Sequence, residues 1–288
     1  MLAGNDDSTT QCPICVTCGV QYTAPREDCP ICGDERQYVG WDGQRWTTLA
    51  ELRAAGHRGV LREEGPGVVG VGSEPAISIG QRALLVRAET GNVLWDCITY
   101  IDDDLVADIN KLGGISAIAI SHPHYYSSMI EWARAFDAPV YIHSADRRWV
   151  ARPDDSVRFW EGDTLELAPG LTLVNAGVHF AGGTVLHWAD ADNGRGALFS
   201  GDIAHVVNDR DWLSFMYSYP NQIPERPSTV RHAVRLLDQF TFDRIYGAWW
   251  RRIVAHDGNA ALRRSAERYL RFVLDQPDPT PAPDHTPH

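Results

Sequence analysis

Four apolar runs in this 288-residue chain each deliver a side chain able to ligate a metal. NVLWD ends in Asp96, ISAIAISHPH ends in His122 and His124, LTLVNAGVHF reaches His179, and GALFSGD ends in Asp202. Continuous apolar, β-branched runs of this length read as buried strands. Side chains two apart on an extended segment share a face, so His122 and His124 are expected to aim the same way. Paired imidazoles at a strand end form half of a zinc or iron site. A bare His-x-His is more often a pair of solvated loop residues; the other strand ends, Asp96, His179 and Asp202, give this pair its meaning.

The segments between these runs alternate helical and extended patterns. Gln44 to Gly56 has a short helical pattern, and β signals begin at Gly65. ALLVRA and NVLWDC, joined by ETGN, read as a hairpin. LVADINKLG reads as a short helix, and Ser128 with Glu131 fits a capping box opening another, with Met129, Ala133 and Phe136 on its apolar face. PVYIHS, VRFW and TLELA read as strands, residues 228–240 as a helix, and FDRIYGAWW as the final strand. Leu262, Ala266, Tyr269, Leu270 and Val273 stripe a last helix. His143 and His187 fall inside strand patterns and read as satisfied core or surface residues.

Five of the six cysteines lie between Cys12 and Cys32. Two Cys-x-x-Cys-Gly units stand out, Cys15 and Cys18 before Gly19, and Cys29 and Cys32 before Gly33. Glycine there permits the tight turn that points backbone amides at thiolate sulfur. Four thiolates so arranged make a closed tetrahedral site, expected to hold structural zinc. Cys12 also has Cys-x-x-Cys spacing with Cys15 and is left over. The knuckles resemble zinc-ribbon and rubredoxin turns, so iron stays open as the alternative ion. A ribbon this small draws its folding energy from the metal. Residues 1–40 carry six acids and two arginines, which argues against a nucleic-acid role and for packing against the main domain.

A net charge of −12 speaks against a nonspecific grip on nucleic-acid phosphates. No apolar run approaches a membrane span, and the first residues carry no basic and apolar secretory pattern, so a cytoplasmic location without a membrane partner is expected. The partner expected is a small-molecule substrate, with a homo-oligomer left open. The domain reading is residues 1–11 disordered, 12–40 a zinc-ribbon module, 41–275 the main domain, and 276–288 a Pro-rich disordered tail.

The order strand-Asp, His-x-His, Gly-x-His-x-x-Gly and Ser-Gly-Asp resembles the metallo-β-lactamase superfamily across roughly residues 65–275. The resemblance implies an α/β fold, a four-layer αββα sandwich with the metal site at one edge of two sheets. It implies His122, His124 and His179 as ligands of the first metal, Asp202 as the carboxylate that bridges two ions in two-metal members, and Asp96 as support beneath the site. The chain departs from the family pattern His-x-His-x-Asp-His: Tyr126 stands in place of the aspartate, Ser127 in place of the next histidine, and Gly247-Ala248-Trp249 where a last histidine is usual. These departures point to one metal held by three histidines and Asp202, with Tyr126 filling the lost second site.

The function expected is a metal-dependent hydrolase in which a single zinc-bound water attacks an ester, lactone, thioester or amide carbonyl. Asp202 is the first candidate to orient the water, and Tyr125, Tyr126 and His205 are candidates to position or protonate the leaving group. Trp249 and Trp250 read either as pocket walls or as core, and Ile203 to Pro227 as a substrate-covering segment. The alternatives are a mononuclear iron redox enzyme with a rubredoxin-like centre and a non-catalytic metal-bound binding module.

Overall fold

The computed structural model describes residues 11–277. The expectations for residues 1–11 and 276–288 therefore fall, except at their innermost residues, outside the described residues. A seven-stranded sheet runs in the order Arg58–Gly65, Val68–Glu74, Ala83–Ala88, Gly91–Trp95, Ala117–Ala119, Val140–His143 and Val157–Trp160. Its first four strands pair antiparallel, including the expected hairpin, and the last four pair parallel. A six-stranded sheet follows, in the order Thr164–Ala168, Leu171–Asn175, Thr184–Trp188, Ala197–Gly201, Arg244–Gly247 and Ile253–Val254. The segment expected as the final strand forms Arg244–Gly247, and a further short strand, Ile253–Val254, follows it at the sheet edge.

Side chains alternate across a strand, and here both faces are buried. Leu84, Val86, Val93 and Trp95 meet Leu173, Leu186, Phe199 and Tyr246 of the facing sheet. On the reverse face of the first sheet, Ala83, Leu85, Leu94 and Ile118 pack with Leu105 and Ile109 of the helix Asp103–Lys111 and Ile130 and Trp132 of the helix Met129–Phe136. On the reverse face of the second, Val174, Val185 and Leu198 pack with Val230, Leu237, Leu262 and Ala266 of the helices Pro227–Leu237 and Gly258–Val273. Three apolar interfaces between four layers are the αββα sandwich. Sheets covered on both faces explain the continuous apolar runs of the sequence.

Ser128 precedes its helix without capping it through its side chain. Its hydroxyl donates to the Thr99 carbonyl at 2.6 Å, and Glu131 pairs with Arg152. The capping box is corrected for a physical reason: the helix start is buried against residues 98–99, and those carbonyls take the hydroxyl.

The cysteine segment is built into the sandwich. Ile14–Cys15 pairs antiparallel with Trp46–Thr47, a ladder spanning the expected boundary at residue 40. Ile14, Val20 and Ile31 share one apolar cluster with Leu94, Ile118 and Trp132. Among the described residues no helix is long and apolar enough to cross a membrane.

Candidate metal centre

Two ligand clusters form among the described residues: Cys15, Cys18, Cys29 and Cys32, and His122, His124 and His179. In the first, the Cys15 and Cys32 sulfurs are 3.6 Å apart and those of Cys18 and Cys29 are 3.7 Å apart. The turns close through Gly19 N–H to the Cys15 carbonyl and Gly33 N–H to the Cys29 carbonyl. The Gln44 amide donates to the Cys15 sulfur at 3.3 Å, and the Tyr22 hydroxyl lies 3.1 Å from the Cys29 sulfur. Crowding splits the thiol acidities: bonding to Cys18 first, then to Cys29 and Cys32, holds Cys15 far below the ordinary thiol value, while bonding to Cys15 pushes Cys18 far above it. A single cation would let all four sulfurs be thiolates at once, which is the arrangement of a closed structural site.

The histidine cluster forms where strand ends from both sheets meet. Asp96 follows the strand Gly91–Trp95 with φ +61° and accepts the Ser121 N–H at 2.7 Å. Burial pushes its carboxyl up to about 7. The strand Ala117–Ala119 then leads to His122, with its Nδ1 2.8 Å from the Ser121 hydroxyl. His122 is extended, but Pro123–Tyr125 is a turn of 3-10 helix, so the shared-face reasoning for His122 and His124 is corrected. The turn, rather than strand alternation, brings the two rings together at 5.1 Å. His179 occupies the left-handed region at φ +68° in the turn between Leu171–Asn175 and Thr184–Trp188. Glu225 accepts its backbone N–H at 2.9 Å.

The tautomers follow from the partners. His179 Nδ1 lies 2.9 Å from the Tyr217 carbonyl and 3.2 Å from that of Met216, so it carries the proton and Nε2 offers a lone pair. That Nε2 is 3.2 Å from His124 Nδ1, and His122 Nε2 is buried without a hydrogen-bond partner. Burial, followed for His122 and His124 by the charge of His179, holds the imidazoles below their ordinary value and therefore neutral. Three neutral, convergent ring nitrogens, one of them orphaned, fit a divalent cation. Asp202, just past the strand Ala197–Gly201, puts Oδ2 3.7 Å from His122 Nε2 and Oδ1 3.4 Å from His205 Nδ1. Gly201 has φ +52°, and a Cβ there would stand 2.7 Å from the Ser121 hydroxyl; only glycine lets the two sheets deliver His122 and Asp202 together.

The other expected site residues separate. The Tyr126 hydroxyl donates to the Asp146 carbonyl at 3.4 Å and has no ring contact with the histidines. The ring against His122, at 4.4 Å, belongs to Tyr125, which is fully buried with an unpartnered hydroxyl. Burial and then the nearby Asp202 push the Tyr125 phenol well above its ordinary value, so it is neutral. Ser127 donates to the Cys97 carbonyl, and the Ala248 carbonyl accepts from the Arg82 N–H. The positions where two-metal relatives are expected to carry further ligands are thus engaged elsewhere. His205 sits beside the centre, its ring 4.8 Å from Tyr219 and 5.2 Å from Trp249. The segment 203–227 includes short strands and holds His179 through Met216 and Tyr217.

Sequence reasoning missed Ser121, Phe180, Glu225 and Arg36. Phe180 walls the centre 5.0 Å from His124. Arg36, four residues after Cys32, lays its guanidinium 4.5 Å from the rings of both Phe180 and Tyr217. Next to it, Glu35 accepts the Tyr217 hydroxyl, and the Asn221 amide donates to the carbonyls of Glu35 at 2.9 Å and Gln37 at 3.1 Å. The thiolate knuckle is therefore fastened to the strand that orients His179.

A model of the Metallo-beta-lactamase superfamily matches residues 79–248. The chain belongs to that superfamily. A further relative, the uncharacterized protein YmaE of Bacillus subtilis (strain 168), is 47% identical over 264 residues, covering 90% of this chain and 96% of the relative. Among solved structures, a B3 metallo-beta-lactamase with an active-site glutamic acid is similar at a TM-score of 0.52 and 17% identity, covering 75% of this chain and 89% of that one. The metallo-beta-lactamase DIM-1 is similar at a TM-score of 0.55 and 12% identity, covering 74% and 97%. At these identities the likeness is one of fold. Superfamily membership and the histidine cluster together make this a metal-binding chain of the metal-dependent hydrolase type, with a four-cysteine, zinc-ribbon-like site at its N-terminal end.

Proposed function

We propose that the chain is a mononuclear metallohydrolase acting on the carbonyl of a small-molecule ester, lactone, thioester or amide. The observation that carries this reading is the single convergent set of three neutral histidines with Asp202 beside it and no second ligand set among the described residues around it. His122, His124 and His179 would hold a divalent cation, which would supply Lewis acidity and a more acidic water. Asp202, facing both His122 and His205, accepts a hydrogen bond from the attacking water and fixes its direction. His205 relays the proton from Asp202 to the open side of the centre. The neutral Tyr125 hydroxyl donates to the developing oxyanion or the leaving group, a role the sequence reading shared among Tyr125, Tyr126 and His205. Phe180, its ring 5.0 Å from that of His124, shields the centre from water.

Elemental analysis of protein purified without added metal tests the reading, combined with a screen of nitrophenyl esters, lactones and thioesters. About two zincs per chain and turnover of one carbonyl class are expected. About three zincs per chain would sink the single-ion reading. The donor sets, four thiolates and three imidazoles with a carboxylate, also accept iron. Stoichiometric iron with no hydrolysis would therefore put the redox reading first.

A further inference from the structure

Next to Asp202 the surface opens into a cavity of about 440 Å³ lined by His205, Trp249, Trp250 and Arg252. It adjoins the histidine centre through two contacts. His205 Nδ1 lies 3.4 Å from Asp202 Oδ1, and the Trp249 ring lies 6.5 Å from Tyr125, which packs on His122. The two indoles are held in place. Trp249 donates its ring N–H to the Ile79 carbonyl at 3.3 Å. Trp250 lies in a trough of the strand Val68–Glu74, where a Cβ at Gly70 would stand 2.4 Å, and one at Gly72 2.5 Å, from its ring. Side chains at those two positions would push the indole out into the cavity.

The fourth wall residue sets the chemistry. Arg252 is half-buried, and among the described residues its guanidinium has no hydrogen bond, ion pair or ring contact. The neighbouring arginines differ: Arg82 pairs with Glu64, and Arg62 pairs with Glu74 while lying 4.7 Å from the Trp250 ring. In a chain of net charge −12, an uncompensated guanidinium in the wall of a cavity that two indoles also line is a local reversal of the field. A guanidinium presents a planar fork that matches one carboxylate, and indoles present flat apolar faces. The volume suits a small ligand rather than a polymer.

We propose that this cavity is a recognition pocket for a flat apolar group bearing one carboxylate, with Arg252 as its specificity-determining residue. Carbonyl compounds held there reach Asp202 and His205 with their cleavable bond. Use of this ligand as part of the substrate rests on the hydrolase reading; its binding does not.

The experiment is calorimetric and tryptophan-fluorescence titration of the full metal-loaded chain with 2-naphthoate and with its neutral counterpart, 2-naphthamide. Naphthoate is expected to bind about tenfold tighter, the return of one charge-assisted contact. Arg252→Gln is expected to erase that difference while leaving naphthamide binding and the melting temperature unchanged. His122→Ala is expected to keep the preference, because the carboxylate sits on Arg252 and not on the ion. Equal binding of the two probes, an unchanged preference in Arg252→Gln, or a preference lost in His122→Ala would each overturn the proposal. An Arg252-dependent preference in a protein that hydrolyses no carbonyl substrate would support the pocket and sink the hydrolase reading. Turnover of anionic and neutral aryl esters that Arg252→Gln leaves in the same ratio would sink the pocket and leave the hydrolase reading standing.

Discussion

The Ser121 hydroxyl lies 2.8 Å from His122 Nδ1, while the Ser121 N–H donates to Asp96 at 2.7 Å. One residue thus links the buried Asp96 to an imidazole of the candidate metal centre and fixes the ring that presents Nε2 to that centre. Outer partners of this kind are worth about 10–100-fold in metal affinity. Ser121→Ala is expected to weaken ion retention at the histidine centre by about tenfold, at the low end of that range, without changing the melting temperature of the ion-free protein. Chelator competition measures the affinity; an unchanged value would show that Ser121 does not orient His122.

The link between the two clusters makes a second prediction. Asn221 holds the carbonyls of Glu35 and Gln37 from the turn that follows Met216–Ser218, the strand whose Tyr217 carbonyl accepts His179 Nδ1–H. Asn221→Ala is expected to loosen the histidine centre by less than the roughly tenfold of a direct outer partner, with the thiolate site still filled. Zinc released by a mercurial reports the thiolate site, and zinc taken by a mild chelator reports the other. Equal retention at both sites in the variant would mean that the fastening is decorative.

Asp146 supplies a pH dependence away from the ligands. Its Oδ1 accepts the Gly182 N–H at 3.0 Å, its Oδ2 is buried without a partner, and burial raises its carboxyl to about 6. The folded value lies above the unfolded one, so this group's contribution to stability is fully present below about pH 4 and is lost as pH rises through 6. Asn keeps the acceptor for Gly182 and removes the charge. Asp146→Asn should therefore gain on the native protein between pH 5 and pH 8, by at most about 3 kcal/mol. Urea unfolding at the two pH values checks the sign; a gap that narrows with rising pH would contradict it.

Beneath the tryptophan turn, Arg82 is fully buried, pairs with Glu64 at 2.8 Å and donates to the Gly247 carbonyl at 2.5 Å. Removing one partner strands a buried charge. Glu64→Ala is expected to cost about 3–5 kcal/mol, whereas replacing both with apolar residues recovers most of it. Equilibrium unfolding of the single and double variants separates these outcomes.

Much of the site was legible because its signals are local. Cys-x-x-Cys-Gly twice over picks out by spacing the four cysteines that cluster, and apolar runs ending in Asp96, His122, His179 and Asp202 mark strand ends. What the sequence hid depends on local geometry or distant contacts. The family pattern pointed to Tyr126, which stands in place of the aspartate, but the 3-10 turn Pro123–Tyr125 brings Tyr125 to the His122 ring instead. Ser128 looked like a cap because it precedes a helix, and nothing in its neighbours announces the carbonyls of residues 98–99. Arg36 and Glu225 reach the centre from sequence-distant segments, and no periodicity marks them.

The shared apolar cluster has a thermal consequence. Ile14, Val20 and Ile31 share one apolar cluster with Ile118 and Trp132, so this segment is expected to unfold together with the sandwich. A calorimeter would see one endotherm, and stripping the thiolate ion would shift that whole peak downward instead of splitting off a smaller one. For a chain of this design, loss of four cysteine ligands at one end is a loss of half-life for the entire body.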